Sequence, residues 1–311
     1  MNQANFFLVG AAKSGTTSVY DFLNHHSEAL MSPIKEPNYF STDISIHKFS
    51  EVYKKTTFLE VDKYFSNSKL EPLQLTFVQD RKHYDRLYEK SSDEIIRGEC
   101  STSYLYSGNA AQNIFNYNPD AKIVIVLRNP IQRAYSHYLM ALKYGFTDKD
   151  FLTAIQEDQS KEEKGWGCSE LFIDLGLYTE QIDRYFNVFG KKQVEVLFME
   201  DLKSDPRAFY SRLCEFLKID DQDTFFEDVK SNSALFPRYP RLNKFFVKIG
   251  LKQFVKQFSP HVFVSFLKLL VFNSKVPKMT LTENKFMLKI YQKEIEKLSL
   301  MLNRDLTHWL L

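Results

Sequence analysis

The stretch "FFLVGAAKSGTTSVYDFL", starting at Phe6, constrains this chain more than any other. An apolar β-type run passes directly into a loop bounded by Gly10 and Gly15, and then into a helical pattern. A strand that turns tightly into a helix points several backbone N–H groups out of the loop, with the positive end of the helix dipole behind them. That arrangement is an anion site. Glycines let the backbone turn and a ligand approach closely. Lys13 adds a charge, and Ser14, Thr16 and Thr17 add hydroxyl donors. The bland counterpart is an ordinary strand-to-helix turn with a capping hydroxyl. Gly10 and Gly15 have the G-x-x-x-x-G spacing of a nucleoside-triphosphate loop, but Thr16-Thr17 stand where that motif needs Lys-Ser/Thr, and Lys13 lies inside the loop.

Four short runs read as strands: "NFFLV" at 5–9, "EIIRGE" at 94–99, "KIVIVL" at 122–127 and "QVEVLFM" at 193–199. The last two are almost continuously apolar, as strands covered on both faces are. Helical patterns run from Ser18 to Asn24, Pro130 to Lys143, Leu177 to Phe189 and Pro206 to Leu217. Thr282 reads as the N-cap of a closing helix. Alternating strands and helices predict an α/β fold: a P-loop-like central parallel β-sheet flanked by helices, with irregular insertions and a helical C-terminal region. The expected organisation is a single domain over 1–311, with insertions at roughly 40–93 and 144–175 and a basic helical region at roughly 238–311.

A second cluster is "VIVLRNPIQRAYSHYLMALKYG". Arg128 closes a strand, and Ser136 follows eight residues later, about two turns into a helix. Both positions suit the carboxyl edge of the sheet, where α/β proteins bind ligands. An arginine offers phosphate a planar fork. A triphosphate-hydrolysing site holds Mg²⁺ with a strand-end Asp. Here the strand ends in Arg128-Asn129-Pro130, a cation in place of that carboxylate. The residues therefore favour a donor whose group leaves without a metal.

Together, "GAAKSGTT" and "LRNPIQRAYSHY" resemble the PAPS-dependent sulfotransferase family. The resemblance implies that Lys13, Ser14, Gly15, Thr16 and Thr17 contact the 5′-phosphosulfate of 3′-phosphoadenylyl sulfate (PAPS). It places Arg128 and Ser136 on the 3′-phosphate, and adenosine 3′,5′-bisphosphate is then the released product. "KEPNYFS" at 35–41 is similar to the catalytic-glutamate segment of the branch that includes heparan sulfate sulfotransferases, which makes Glu36 the implied general base beside Lys13. "GECSTSYLY", "GLYTEQIDRYFNVFG", "VLFMEDLKSDP" and "NRDLTHWL" resemble bacterial members. Cys100 stands where the heparan sulfate branch carries a lysine. The implied acceptor is a hydroxyl or amine of a carbohydrate, glycolipid or small molecule, with no nucleic-acid partner and no metal. Two other classes compete: a P-loop kinase using Mg-ATP, and a non-catalytic nucleotide- or polyanion-binding module. Histidines are the rival bases: His25 and His26 read as capping or packing residues, His137 as pointing elsewhere on its helix, and His47 and His83, in the insertion, stay open as candidates. Tyr178 reads equally as a nucleotide neighbour or a core residue. Arg238, Arg241 and Lys244 read as phosphate partners or as surface residues.

Net charge is only +2, but it is unevenly spread. From Arg238 onward there are 14 Lys/Arg against 4 Asp/Glu, and before it 27 against 35. A basic C-terminal third fits a polyanion, a phosphorylated cofactor or peripheral contact with anionic lipid, and equally a solvated helical surface. Cys100, Cys168 and Cys214 form no C-x-x-C pair, which argues against a zinc site or disulfide framework and fits a reducing compartment. "MNQANFFLVG" lacks the features of a signal peptide, and "HVFVSFLKLLVF" is too short to span a bilayer. A cytoplasmic protein, at most peripheral to the inner face of the membrane, is the expectation.

Overall fold

The computed structural model describes residues 3–221, 236–249, 272–273 and 276–311. In chain order the elements used below are β1 (Phe6–Gly10), α1 (Thr16–Asn24), β2 (Ala29–Met31), β3 (Ile34–Glu36), β4 (Leu73–Leu75), β5 (Ile96–Cys100), α2 (Ala110–Tyr117) and β6 (Lys122–Leu127). They continue with α3 (Pro130–Tyr144), α4 (Phe151–Gln159), α5 (Tyr178–Phe189), β7 (Val194–Phe198), α6 (Met199–Ser204), α7 (Pro206–Leu217), α8 (Pro240–Lys248) and α9 (Leu281–Leu302). Among the described residues, 3–46, 57–129 and 178–221 form one compact unit; 47–56, 130–177 and those from 236 onward form another.

The first unit is built on a five-stranded sheet of order β2-β5-β1-β6-β7. Every pairing in it is parallel. β1 is central, and its alternation feeds two different cores. Phe6 and Leu8 join Val19, Leu23, Ile96, Val124, Val126, Leu213 and Leu217 in an aliphatic core. Phe7 points the other way, 5.5 Å edge-on to Phe40 and 6.4 Å from Tyr117. Both faces are covered, which accounts for the uninterrupted apolar run of β6, buried from Ile123 to Leu127. A separate parallel pair joins β3, just ahead of the segment expected to be an irregular insertion, with β4 inside that segment. Alternation over three residues is too short to read, so pairing defines these strands.

The second unit is mainly helical among its described residues. Arg133 is fully buried on α3 and donates to the Phe172 carbonyl. Tyr291 on α9 donates to the carbonyls of Ile173 (2.8 Å) and Phe172 (3.2 Å). Asp158 of α4 accepts the N–H groups of Glu170 (2.8 Å) and Phe172 (3.0 Å). The irregular stretch 170–173 is thus held by side chains from three helices. α9 is capped two residues earlier than expected: Thr280, not Thr282, is the N-cap. Its hydroxyl accepts Glu283 N–H at 3.2 Å, and the Glu283 carboxylate accepts Thr280 N–H at 2.6 Å. Glu283 three residues after Thr280 completes the reciprocal box, whereas Thr282 has no such partner. No helix among the described residues is long and apolar enough to cross a membrane. The stretch "HVFVSFLKLLVF" lies almost wholly outside them.

Gly98 pairs with Phe6 across β1 and β5. A Cβ there would fall 2.9 Å from the Phe6 carbonyl oxygen and also into its ring. Gly98→Ala is expected to destabilise the protein by about 2–3 kcal/mol, the upper range for overpacking against a backbone atom. Chemical denaturation measures this, and a midpoint equal to wild type would show that β5 can shift freely.

Candidate active site

The loop after β1 stays tied to the sheet, because Ala11 N–H donates to the Val126 carbonyl at 2.7 Å. Gly10 is required by contact: a Cβ there would lie 2.8 Å from the Leu105 Cβ. Lys13 and Gly15 both sit at positive φ, 70° and 90°. Gly15 takes that conformation freely, while Lys13 holds it at a cost of about 1–2 kcal/mol. Gly15 is the N-cap of α1, yet no side chain caps this helix and its first turn has no acid. Its positive end is left for an outside anion. Ser14 is fully buried, and its hydroxyl has no hydrogen-bond partner among the described residues. An orphaned buried hydroxyl in a loop of this shape fits an anion that supplies the missing acceptor.

Arg128 of the second sequence cluster reaches this loop. The Arg128 guanidinium, at the end of β6, donates from Nη1 to the Lys13 carbonyl at 3.2 Å. Tyr178 is fully buried and donates to the Arg128 carbonyl at 2.9 Å, so it is a core tyrosine that fixes the arginine's backbone. α6 covers the loop, with Met199 Cγ and Leu202 Cδ2 3.6 and 3.7 Å from a Cβ position at Gly15. That helix brings in two groups that sequence reasoning missed. Glu200 accepts Asn129 N–H at 3.1 Å. Burial and the Arg128 cation hold the Lys203 ammonium below the ordinary lysine range, with Glu200 pulling the other way. The Arg128 and Lys203 cations thus stand close enough to repel, with the Glu200 carboxylate beside them. The "MEDLKS" segment hinted at Glu200 and Lys203 only through its place after a strand. Ser136 is half-buried on α3 in the second unit.

Glu36 ends β3 with its side chain 14% exposed. One carboxylate oxygen accepts the Lys35 ammonium at 3.0 Å, and the other accepts the Thr102 hydroxyl at 2.8 Å and its N–H at 3.4 Å. The ion pair with Lys35 is therefore buried rather than solvated. Burial opposes the Lys35 charge, but Cys100 and Glu36 outweigh it and hold the ammonium above its ordinary value. Cys100 is fully buried; its thiol lies 3.9 Å from the Thr16 carbonyl and is pushed up to about 12 by burial. The cation beside this sulfur comes from Lys35. In this way Thr16, Cys100, Lys35 and Glu36 connect the anion loop to the carboxylate through successive neighbours.

Beneath Glu36 lies a carboxylate that the sequence did not single out. Glu99 is fully buried and accepts three hydroxyls: Ser101 at 2.5 Å, Tyr84 at 2.7 Å and Tyr104 at 2.8 Å. Ser101 in turn accepts Asn38 N–H at 3.0 Å, and Tyr104 accepts Phe40 N–H at 3.3 Å. Asn38, at φ 52°, donates to the carbonyls of Glu36 and Thr76, both at 2.8 Å. The network thus pins the segment just after Glu36 from both sides. Phe40 and Tyr104 are core residues, whereas Tyr39 lines an open cleft of about 460 Å³ with Arg81, Asn113, Asn116 and Tyr117.

Four of the rival histidines, His25, His26, His83 and His137, have partners of their own, and His83 stacks on Phe65 at 4.4 Å. His25 contacts the Asp21 carbonyl at 2.7 Å, and His26 spans the Asp220 carbonyl at 2.7 Å and Glu28 N–H at 3.1 Å. His137 is buried on α3 near Arg133. Lys244 pairs with Asp148 at 2.9 Å and Arg238 Nε donates to Asn273 at 3.2 Å, so both have protein partners.

The chain matches the family model of the sulfotransferase domain over residues 3–298. Carbohydrate sulfotransferase 15 of Mus musculus is 24% identical over 250 residues, covering 69% of this chain and 44% of that protein. Heparan sulfate glucosamine 3-O-sulfotransferase 6 of Mus musculus is 27% identical over 135 residues, 43% of this chain and 38% of that one. The matched region thus spans less than half the length of these relatives. A sulfotransferase structure from Alicyclobacillus acidocaldarius aligns over 99% of both chains with a TM-score of 0.68 and 24% identity, which shows a shared fold.

Burial pushes the Glu99 carboxyl up to about 7, against the pull of the Ser101, Tyr84 and Tyr104 hydroxyls. The folded protein therefore holds this proton more tightly than the unfolded chain, whose glutamates titrate near 4.3. Its stabilisation is complete below that value and drains away as pH rises through about 7, by about 3–4 kcal/mol. Glu170, in the second unit and also pushed up to about 7 by burial, acts in the same window. Glu99→Gln is expected to flatten, without abolishing, the fall in denaturation free energy between acid and neutral pH. An unaltered slope would remove Glu99 as its source.

Proposed function

The chain belongs to the sulfotransferase family, and from that premise we propose that it moves a sulfuryl group from PAPS to a hydroxyl or amine of a carbohydrate or glycolipid. Adenosine 3′,5′-bisphosphate is the second product. The observation that carries this reading is the bond from Arg128 to the Lys13 carbonyl, which sets a strand-end guanidinium beside the anion loop. A 5′-phosphosulfate suits the buried Ser14 hydroxyl, Gly15, Thr16, Thr17 and Lys13, while Arg128 suits the 3′-phosphate that ATP lacks. Lys203 joins Arg128 as a second cation for that phosphate. Ser136 is assigned to it by motif resemblance alone.

In this reading the sulfur–oxygen bond to the 5′-phosphate breaks as the bond to the acceptor forms. Lys13 and the amides of the loop offset the charge gathering on the departing phosphate. Glu36 takes the proton of the acceptor, and Thr102 and Lys35 hold its carboxylate in a fixed orientation. Glu99 acts at one remove, by fixing the segment after Glu36. The names of the two relatives above support a saccharide acceptor. The cleft lined by Tyr39, Asn113 and Asn116 offers an aromatic ring and side-chain amides of the kind a sugar uses. Family membership sets aside the kinase and the non-catalytic module.

Calorimetry tests the donor. Adenosine 3′,5′-bisphosphate is expected to bind without Mg²⁺ and far more tightly than ATP, and equal affinities would overturn the assignment. Arg128→Ala is expected to weaken the bisphosphate by about 10–100-fold, the loss of one charge-assisted contact, while adenosine 5′-phosphate changes little. Uniform loss for both ligands would move Arg128 off the 3′-phosphate. Glu36→Gln is expected to bind the bisphosphate normally but to transfer label from ³⁵S-PAPS to glycan or glycolipid extracts about 10²–10⁴-fold more slowly. Undiminished transfer would exclude Glu36 as the base.

A further inference from the structure

In the second unit, helix α8 is mounted with a polar side inward. Asn243 is 1% exposed, and its amide donates to the carbonyls of Leu142 (2.7 Å) and Lys143 (3.3 Å) near the end of α3. The Leu142 carbonyl also accepts the Gly145 N–H at 3.3 Å, so the amide reinforces the end of α3. Lys244 pairs with Asp148 on the same side, and Val247 packs at Gly145, where a Cβ would lie 3.1 Å from Val247 Cβ. The large apolar residues are on the outside. Tyr239 is 62% exposed, Leu242 48%, Phe245 55% and Ile249 55%. Their spacing of three, three and four residues makes one continuous stripe along the helix.

The stripe is interleaved with exposed Arg238, Arg241 and Lys248. From Arg238 to Lys278 the sequence has nine Lys/Arg and no Asp/Glu. A helix with aromatic and aliphatic residues among cations, and no acid, matches a surface with apolar depth under anionic head groups. A second copy is a poorer fit, because a two-fold contact would set Arg238, Arg241 and Lys248 against their own like charges.

We propose that the exposed face of Arg238–Ile249 docks this enzyme on an anionic lipid surface. The docking stands apart from the donor chemistry; it rests on the proposed function only in giving the enzyme access to acceptors displayed at a membrane.

Flotation of the full chain with vesicles tests it. Phosphatidylcholine vesicles containing phosphatidylglycerol are expected to capture the protein at least about tenfold better than phosphatidylcholine alone, with capture falling as salt rises. Leu242→Glu with Phe245→Glu is expected to abolish capture while adenosine 3′,5′-bisphosphate still binds, which shows that the fold is intact. Arg241→Gln with Lys248→Gln is expected to weaken capture and lessen its salt dependence. Equal capture by both vesicle types, or capture unaffected by the glutamates, would overturn the proposal. So would a wild-type dimer in light scattering that the glutamates dissociate, since the stripe would then belong to a second copy. Loss of bisphosphate binding in the wild type, with capture intact, would count against the donor assignment alone.

Discussion

The pairing of β1 with β6 is the constraint on which the site depends. Because the two strands run parallel and adjacent, their carboxyl ends release the Gly10 loop and Arg128 at the same edge. The bond from Ala11 to Val126 extends the pairing by one residue into the loop, and the bond from Arg128 to Lys13 closes it from the other side. An antiparallel pairing would send the two groups to opposite edges. The meeting of the anion loop with Arg128 is therefore a consequence of strand direction, and the sheet is covered on both faces as parallel sheets are.

A second layer of organisation is polar and hidden. Glu99 touches neither the anion loop nor, directly, the Glu36 carboxylate, yet two of its three hydroxyl partners also receive backbone N–H groups from the segment 38–40. A buried carboxylate is costly unless it is fully satisfied, so each of these bonds is strongly favoured over its absence. The orientation of Glu36 is accordingly set from below by a rigid network and from the side by Thr102 and Lys35.

Much of this was legible in the residues. β1, β5, β6 and β7 fall within two residues of the runs read as strands, and α7 spans the expected Pro206 to Leu217. Long apolar runs and capped helices carry their identity locally. β2 does not, because "ALM" becomes a strand only through its register with Ile96, Arg97 and Gly98. Likewise, the sequence placed Lys13 and Arg128 in one site through their spacing and resemblance, but Lys203 enters only when α6 folds over Gly15. Glu99 was visible as a letter in "GECSTSYLY", while its three donors come from positions 84, 101 and 104, which local pattern does not connect.

The Cys100 sulfur lies under the anion loop, beside the Thr16 carbonyl. A thiol pushed up to about 12 and shielded from solvent exists as thiolate in about one molecule in 10⁵ at neutral pH, and the thiolate is the form that reacts. Cys214 is buried with its thiol likewise raised to about 12, leaving Cys168 as the accessible cysteine. The buried thiol at the floor of the loop is thus a poor target for oxidants and alkylating agents, whereas Cys168, in the second unit, offers the more accessible sulfur for labelling.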